Sequence, residues 1–434
     1  MPARTTLTPA YARYVLALLF VAYVFNFIDR QILAILLQPI KEELQVSDTA
    51  MGLLTGIAFA LFYTCAGIPI ARLADRRSRR TIIAVGLAAW SVMTAASGMV
   101  RTFAQLAVAR IGVGVGEAAF VPPAHSLISD YFPAERRATA MAVFSLGVHV
   151  GLAFGFVLGG WIAQFFGWRA AFFAVGVPGL ILAVVVRLTV REPARGHADG
   201  ARDLSHGAAV SGAPASEPLR VVFHILRTRR AFRHLALAAA LHSFGGYAFA
   251  IWGPTFFVRV HGMMSGRLGT WLGAILGVGG AAGAILGGVL ADRLGARDAR
   301  WQLYVPAMAT VLQIPCALVT LLWPSPVPAL LFLIPSAMAS AIWFGPVFSL
   351  TQALVPPTMR ATASAVLLFV INLIGLGIAP LAVGILNDRL AATYGAEAIR
   401  YSLMIVGFAG VLAALHFSLA ARTIRADLAA ARRA

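Results

Sequence analysis

Residues 137–143 read RATAMAV, and residues 360–366 read RATASAV. The second copy lies 223 residues after the first, and the same offset carries Pro123, Ser126 and Leu127 onto Pro346, Ser349 and Leu350. A shorter match pairs LADRR at 73–77 with LADRL at 290–294. One motif set repeated at half-chain separation predicts two related halves. Around these motifs, runs of about 20 apolar residues recur, each long enough to cross a bilayer. The chain of 434 residues is 60% hydrophobic and only 12% charged. A soluble protein of this length needs far more surface charge, whereas lipid-facing helices do not.

The apolar runs predict helices at roughly 12–39, 48–72, 81–100, 103–131, 138–166, 168–190, 234–260, 268–292, 301–323, 326–355, 360–387 and 398–421. The fold class is therefore an all-α membrane protein of twelve transmembrane helices in two pseudo-symmetric six-helix bundles. The expected domains are an N-terminal bundle at 1–190, a cytoplasmic linker with an amphipathic helix at 191–233, and a C-terminal bundle with a short tail at 234–434. Residues 191–219 are rich in Gly, Ala, Pro, Ser and His, as flexible linkers are. Between Pro218 and Arg233, apolar Val222, Ile225 and Leu226 can share one helix face while Arg220, Arg227 and Arg230 point elsewhere. Such a helix can lie along the membrane surface.

The formal net charge of +18 has a topological explanation. With the N-terminus inside, cytoplasmic segments hold 26 of the 35 basic residues and the opposite side holds seven. Arg30 and Arg110 fall within helices. This asymmetry places both termini in the cytoplasm of a multi-pass protein, in a bacterial inner membrane. It accounts for the charge better than nucleic-acid binding does. The first apolar run is too long for a signal peptide and has no cleavage site, so it reads as an anchor. Cys65 and Cys316 lie in different halves and suggest neither a disulfide framework nor a metal site.

Ionisable residues at membrane depth are costly and are functional candidates by default. At ~1.5 Å per residue, Asp29 and Arg30 lie within a turn of the middle of the first helix, and Glu117 lies near the middle of the fourth. Arg110, seven residues before Glu117, shares its helix face. Asp29 and Arg30 are sequence neighbours and point about 100° apart. One arrangement pairs Arg30 with Glu117 and leaves Asp29 to another helix; the sequence also permits the opposite assignment. A neutral network that only orients helices fits the charge balance. The alternative is proton coupling. A carboxylate that takes up a proton weakens its ion pair and frees an arginine. Glu117 is the first choice for that acid, with Asp29 next. The proton gradient would then be the energy source, and no cofactor or metal is expected.

Parallel six-helix repeats are the layout of the major facilitator superfamily, and two loop or helix motifs resemble it. ARLADRRSRR (71–80) resembles the loop between helices two and three, with Ala71 and Ser78 in place of the usual glycines. The resemblance implies a gating role for Asp75, Arg76 and Arg79, and for Asp292 in the second half; plain positive-inside charge would explain the arginines equally simply. GVHVGLAFGFVLGG (147–160) resembles the family's fifth-helix glycine motif, with Phe156 where a proline is common. Its glycines at 147, 151, 155 and 159 share one face and permit close approach of a neighbouring helix.

FNFIDRQILAILLQPIKEEL (25–44), RIGVGVGEAAFVPPAHSLISDYFP (110–133) and GWRAAFFAVGVPGLILA (167–183) look like the spinster family of these transporters. The resemblance implies a proton-linked carrier of lysolipids or sphingoid phosphates. The two halves differ in a way that fits such a solute. The first offers Asp29, Arg30, Arg110, Glu117 and His149. The second has no Asp, Glu, Arg or Lys at equivalent depth, and the repeat offset puts Ser340 and Leu333 opposite Glu117 and Arg110. It offers Phe244, Tyr247, Trp252, Trp343, Phe344 and Phe348 instead, with Asn372 aligned to His149. Asn26, His149, Tyr247, Trp252, Phe344 and Asn372 are the candidate substrate contacts, although aromatics on membrane helices more often pack and the asparagines can be interhelical glue. The expected partners are a lipid-like small molecule, protons and membrane lipids, handled by a monomer. An exporter of amphipathic drugs, a carrier of small organic anions and a receptor or scaffold are the other readings. An enzyme is not expected, because no nucleophile–base pair, H-E-x-x-H or G-x-x-x-x-G-K-[ST] occurs.

Overall fold

The computed structural model describes residues 8–194, 197–199, 219–356 and 359–433. Among them, ten helical stretches are long and apolar enough to cross a membrane, and two of these, of 55 and 70 residues, hold two crossings each. Glycines with positive φ divide both: Gly167 at 82° and Gly395 at 53°. Only glycine takes that conformation without a steric cost, so Gly167 alone separates one pair of consecutive membrane helices, and the short turn Gly395–Glu397 separates the other. The total is twelve.

We number the helices α1 (Pro9–Leu44), α2 (Asp48–Thr55 and Ile57–Arg76), α3 (Arg79–Ser97), and α4 (Phe103–Ala118 and Val121–Tyr131). Helices α5 (134–166) and α6 (168–189) meet at Gly167. A short α7 (Leu219–Thr228) precedes α8 (Arg230–His261). Then come α9 (Ser265–Leu272 to Gly280–Gly295), α10 (Trp301–Leu322), and α11 (Pro326–Ala341 and Phe344–Ala353). Helices α12 (Arg360–Ile371 to Ala379–Tyr394) and α13 (Ala398–Gly407 and Ala409–Arg433) complete the chain. Local chemistry sets the starts. The Ser47, Ser78 and Thr102 hydroxyls accept from the backbone N–H three residues on and so cap α2, α3 and α4. The break in α4 is followed by Pro122 and Pro123, which suit a helix start because they have no N–H to lose. Helices α9 and α12 each contain a π-helical turn, Gly273–Gly279 and Asn372–Ile378, a geometry that inserts one residue into the helix.

By their packing the described residues fall into two compact units. The first holds residues up to Leu33 and from Leu61 to the linker; the second holds Ala34–Ala60 and everything after the linker. The expected bundle at 1–190 is thus divided. The later part of α1 and the early part of α2 pack with the second unit, and glycines explain why. A Cβ on Gly52 would lie 2.4 Å from the Pro380 carbonyl oxygen, one on Gly56 would lie 2.3 Å from that of Gly377, and one on Gly384 would lie 2.3 Å from that of Asp48. Backbones of α2 and α12 therefore touch directly.

The first unit uses the same device. A Cβ on Gly151 would meet the Val24 carbonyl oxygen at 2.5 Å and Phe27 Cβ at 2.6 Å. Gly147 and Gly155 face Tyr23 and Gln31 in the same way, so the α5 glycine stripe seats α1 and holds Asp29 and Arg30 in place. In the second unit, α7 buries Val222 and Leu226 in a core with Phe232, Leu350, Leu354 and Ile424. Replacing Gly151 by Leu is expected to destabilise the fold by ~3 kcal/mol or more, since overpacking here must displace backbone. A lower unfolding temperature of the detergent-purified variant checks this.

Candidate functional site

The four membrane-depth charges of the first unit form two ion pairs. Arg30 Nε on α1 donates to Glu117 Oε2 on α4 at 2.6 Å. Asp29 Oδ1 accepts from Arg110 Nη1 at 3.3 Å, and its Oδ2 accepts from the Thr94 hydroxyl on α3. The 100° step between neighbouring residues sends Asp29 and Arg30 to different partners, while the seven-residue step on α4 presents both partners to α1. The Arg30 guanidinium also lies 4.7 Å from the Tyr63 ring centroid and 5.2 Å from that of Phe27, a favourable cation–π arrangement.

Exposure differs sharply within this group. Asp29, Glu117 and Arg110 are buried. Of the Arg30 side chain 17% is exposed, against none of Glu117. Arg30 is therefore the member through which the network meets its surroundings. Glu117 Oε1 is buried with no hydrogen-bond partner among the described residues, whereas both Asp29 oxygens are engaged. Asn26, one turn before Asp29, is also buried, and neither amide atom has a partner among the described residues. His149 is half-buried on α5.

In the second unit the proposed contacts separate. Trp252 is fully buried and its indole N–H donates to the Pro380 carbonyl at 2.9 Å, so it fastens α8 to α12. Tyr247 is half-buried, with its ring close to Gly375 of α12. Phe344 is 54% exposed and its ring lies 4.6 Å from that of Phe348. Asn372 is half-buried and opens the π turn of α12. His242 was not anticipated. Buried on α8, it lies 3.0 Å through Nε2 from the Ser340 carbonyl and 3.0 Å through Nδ1 from Thr310 Oγ1. Nε2 must carry a hydrogen, because a carbonyl only accepts.

Among the gating candidates, the side chain of Asp75 lies outside the described residues. Arg76 and Asp292 are exposed. Arg79 is buried and organises the end of the first unit. It donates to Glu192 at 2.8 Å, to the Ser126 hydroxyl at 2.9 Å, to the Pro193 carbonyl at 3.0 Å, and to Asp130. It thus ties α3 and α4 to the segment after α6. Burial pushes the Glu192 carboxyl upward. Hydrogen bonds from the Arg80 backbone N–H, Arg79 and Ser78 outweigh that and hold it below its ordinary value.

A second cluster, also absent from the sequence reading, lies in the second unit. Asp48, at the start of α2, accepts from Arg259 of α8 at 2.5 and 2.7 Å and pairs with Lys41 at 2.6 Å. Gln38 accepts from Arg259 at 2.6 Å. The Asp388 carboxylate of α12 accepts from the backbone N–H groups of Asp48 and Thr49 at 3.0 and 2.7 Å, which caps α2 where its dipole favours negative charge.

Twelve membrane helices in two repeated sets, with ionised groups paired in the interior, define a membrane transport protein rather than an enzyme. The family model of the Major Facilitator Superfamily matches residues 19–380. The chain belongs to that superfamily, in its spinster-like branch. An MFS-type efflux pump of Mycolicibacterium smegmatis is 32% identical over 406 residues, which are 93% of this chain and 91% of the relative. The sphingosine-1-phosphate transporter SPNS2 of Danio rerio is 27% identical, over 91% of this chain and 81% of its own. A solved bacterial homolog of the human lysosomal transporter spinster, in an inward-facing and unoccupied conformation, shares 31% identity with a TM-score of 0.85. The match covers 97% of this chain and 99% of that one.

Two outcomes follow from the paired groups. Glu192, with its lowered folded value, contributes its full stability above the ordinary glutamate value of 4.5 and loses it as pH falls through the folded value. Glu192→Gln should lower stability at neutral pH by ~1–3 kcal/mol and flatten the acid limb, as read by unfolding temperature against pH. Asp48→Ala leaves Arg259 and Lys41 facing each other, and a loss of ~3 kcal/mol is expected, measured in the same way.

Proposed function

We propose that the chain is a proton-linked secondary transporter of an amphipathic, lipid-like solute with an anionic head, a lysophospholipid or sphingoid phosphate, working as a monomer by alternating access. We place it in a bacterial inner membrane with both termini cytoplasmic, on the charge asymmetry of its loops. The carrying observation is the Arg30–Glu117 pair: a buried carboxylate bonded to the one arginine of the network that is partly exposed. An anionic head that approaches Arg30 competes with Glu117 for the guanidinium. Losing its counter-charge raises the proton affinity of Glu117, so solute and proton arrive together or exchange in turn. The unpartnered Oε1 is where that proton can sit without disturbing Oε2. Asp29 suits the part less, since both its oxygens already accept hydrogen bonds.

The similarity to a sphingosine-1-phosphate transporter supports the lipid class, and the apolar and aromatic second half suits a long tail. The similarity to an efflux pump favours a second reading, proton-linked export of amphipathic drugs. Uptake into proteoliposomes separates the two, through a panel of lysolipids, cationic drugs and small carboxylates. Glu117→Gln is expected to abolish the dependence of flux on a pH gradient while partly sparing exchange at zero gradient. Full gradient-driven flux in that variant would move the assignment to Asp29. Arg30→Ala should remove transport of anionic lipids, with a loss of ~3 kcal/mol or more in apparent affinity.

A further inference from the structure

We propose that the outward face of α7 is a binding surface for the phosphates of anionic phospholipids. The leaflet is the one on that side of the membrane, cytoplasmic by the charge asymmetry. Helix α7 is not loosely attached: Val222 and Leu226 are buried in the core of the second unit. Its opposite face carries Arg220, Phe223 and Arg227, all exposed, at steps of three and four that align them. Arg230 and Arg233, in the first turn of α8, are exposed as well. None of these four arginines meets a carboxylate among the described residues. The nearby acid, Asp427, is committed to the backbone N–H of Ala231 at 2.7 Å. Other arginines of the molecule behave differently, since Arg79, Arg259 and Arg425 each hold an acid.

The occupant follows from two requirements on one face. The Phe223 ring, 57% exposed, needs an apolar neighbour. The guanidinium groups need phosphate or carboxylate oxygens, which their planar donors match. An interface between acyl chains and headgroups supplies both at the right separation. Only Arg229 separates α7 from α8, which enters the membrane directly, so this face lies at the bilayer boundary. An acidic protein partner would satisfy the charges but leave the ring uncovered.

The test uses the full chain with Cys65 and Cys316 replaced by Ser and a fluorophore attached at Phe223→Cys, in nanodiscs carrying brominated acyl chains. Nanodiscs of phosphatidylcholine alone are compared with nanodiscs that include phosphatidylglycerol. The expected result is stronger quenching with phosphatidylglycerol, weakened by added salt. Phosphatidylglycerol retention in native mass spectrometry should fall about thirtyfold in Arg220→Gln/Arg227→Gln, at roughly 1 kcal/mol per charge, and survive in the doubly Lys-substituted variant. Equal quenching in both nanodisc types, or equal retention in the Gln and Lys variants, would overturn the proposal.

Discussion

An ionised side chain in hydrocarbon must find its opposite charge, and that constraint organises this molecule more than any other. Arg30 meets Glu117, and Asp29 meets Arg110. Closer to the ends of the helices, Arg79 gathers two acids and Asp48 gathers two bases. Each grouping joins separate helices, so pairing a charge also fixes a helix. Such pairs contribute little net stability, because desolvation offsets their attraction, yet breaking one by removing a partner is costly. They hold arrangement more than they add energy.

Small residues make the pairing geometrically possible. The α5 stripe admits the backbone of α1, and Gly52, Gly56 and Gly384 let α2 and α12 touch. Without that approach, Asp29 would not reach Thr94 and Asp48 would not reach Asp388. The glycines and the charges are therefore one design, in which backbone contact brings short acidic side chains within hydrogen-bonding distance.

Much of this was legible in the sequence. The 223-residue repeat marks the halves, and the four isolated charges mark the network, because each is a local signal. What escaped depends on distance. Thr94 and Tyr63 are ordinary residues until tertiary structure sets them beside Asp29 and Arg30. Asp48 and Arg259 look like flanking charges, and nothing in either stretch announces the other, 211 residues away. Trp252, which suggested a solute contact, serves the Pro380 carbonyl instead, since an indole N–H buried in apolar surroundings takes the nearest acceptor. His242 likewise shows its role only through Thr310 and the Ser340 carbonyl, which lie far from it in the chain.

The π turn at Asn372–Ile378 bears on how this chain can change. A turn of that kind holds one residue more than α-helical winding needs, so it is a phase slip within α12. Gly384 and Asp388, which meet the start of α2, lie beyond it. If the turn wound as ordinary α-helix with all its residues kept, everything downstream would rotate by about 100°. Both residues would then swing away from the helix they hold. The slip is in effect a one-residue insertion on which the alignment of two helices rests.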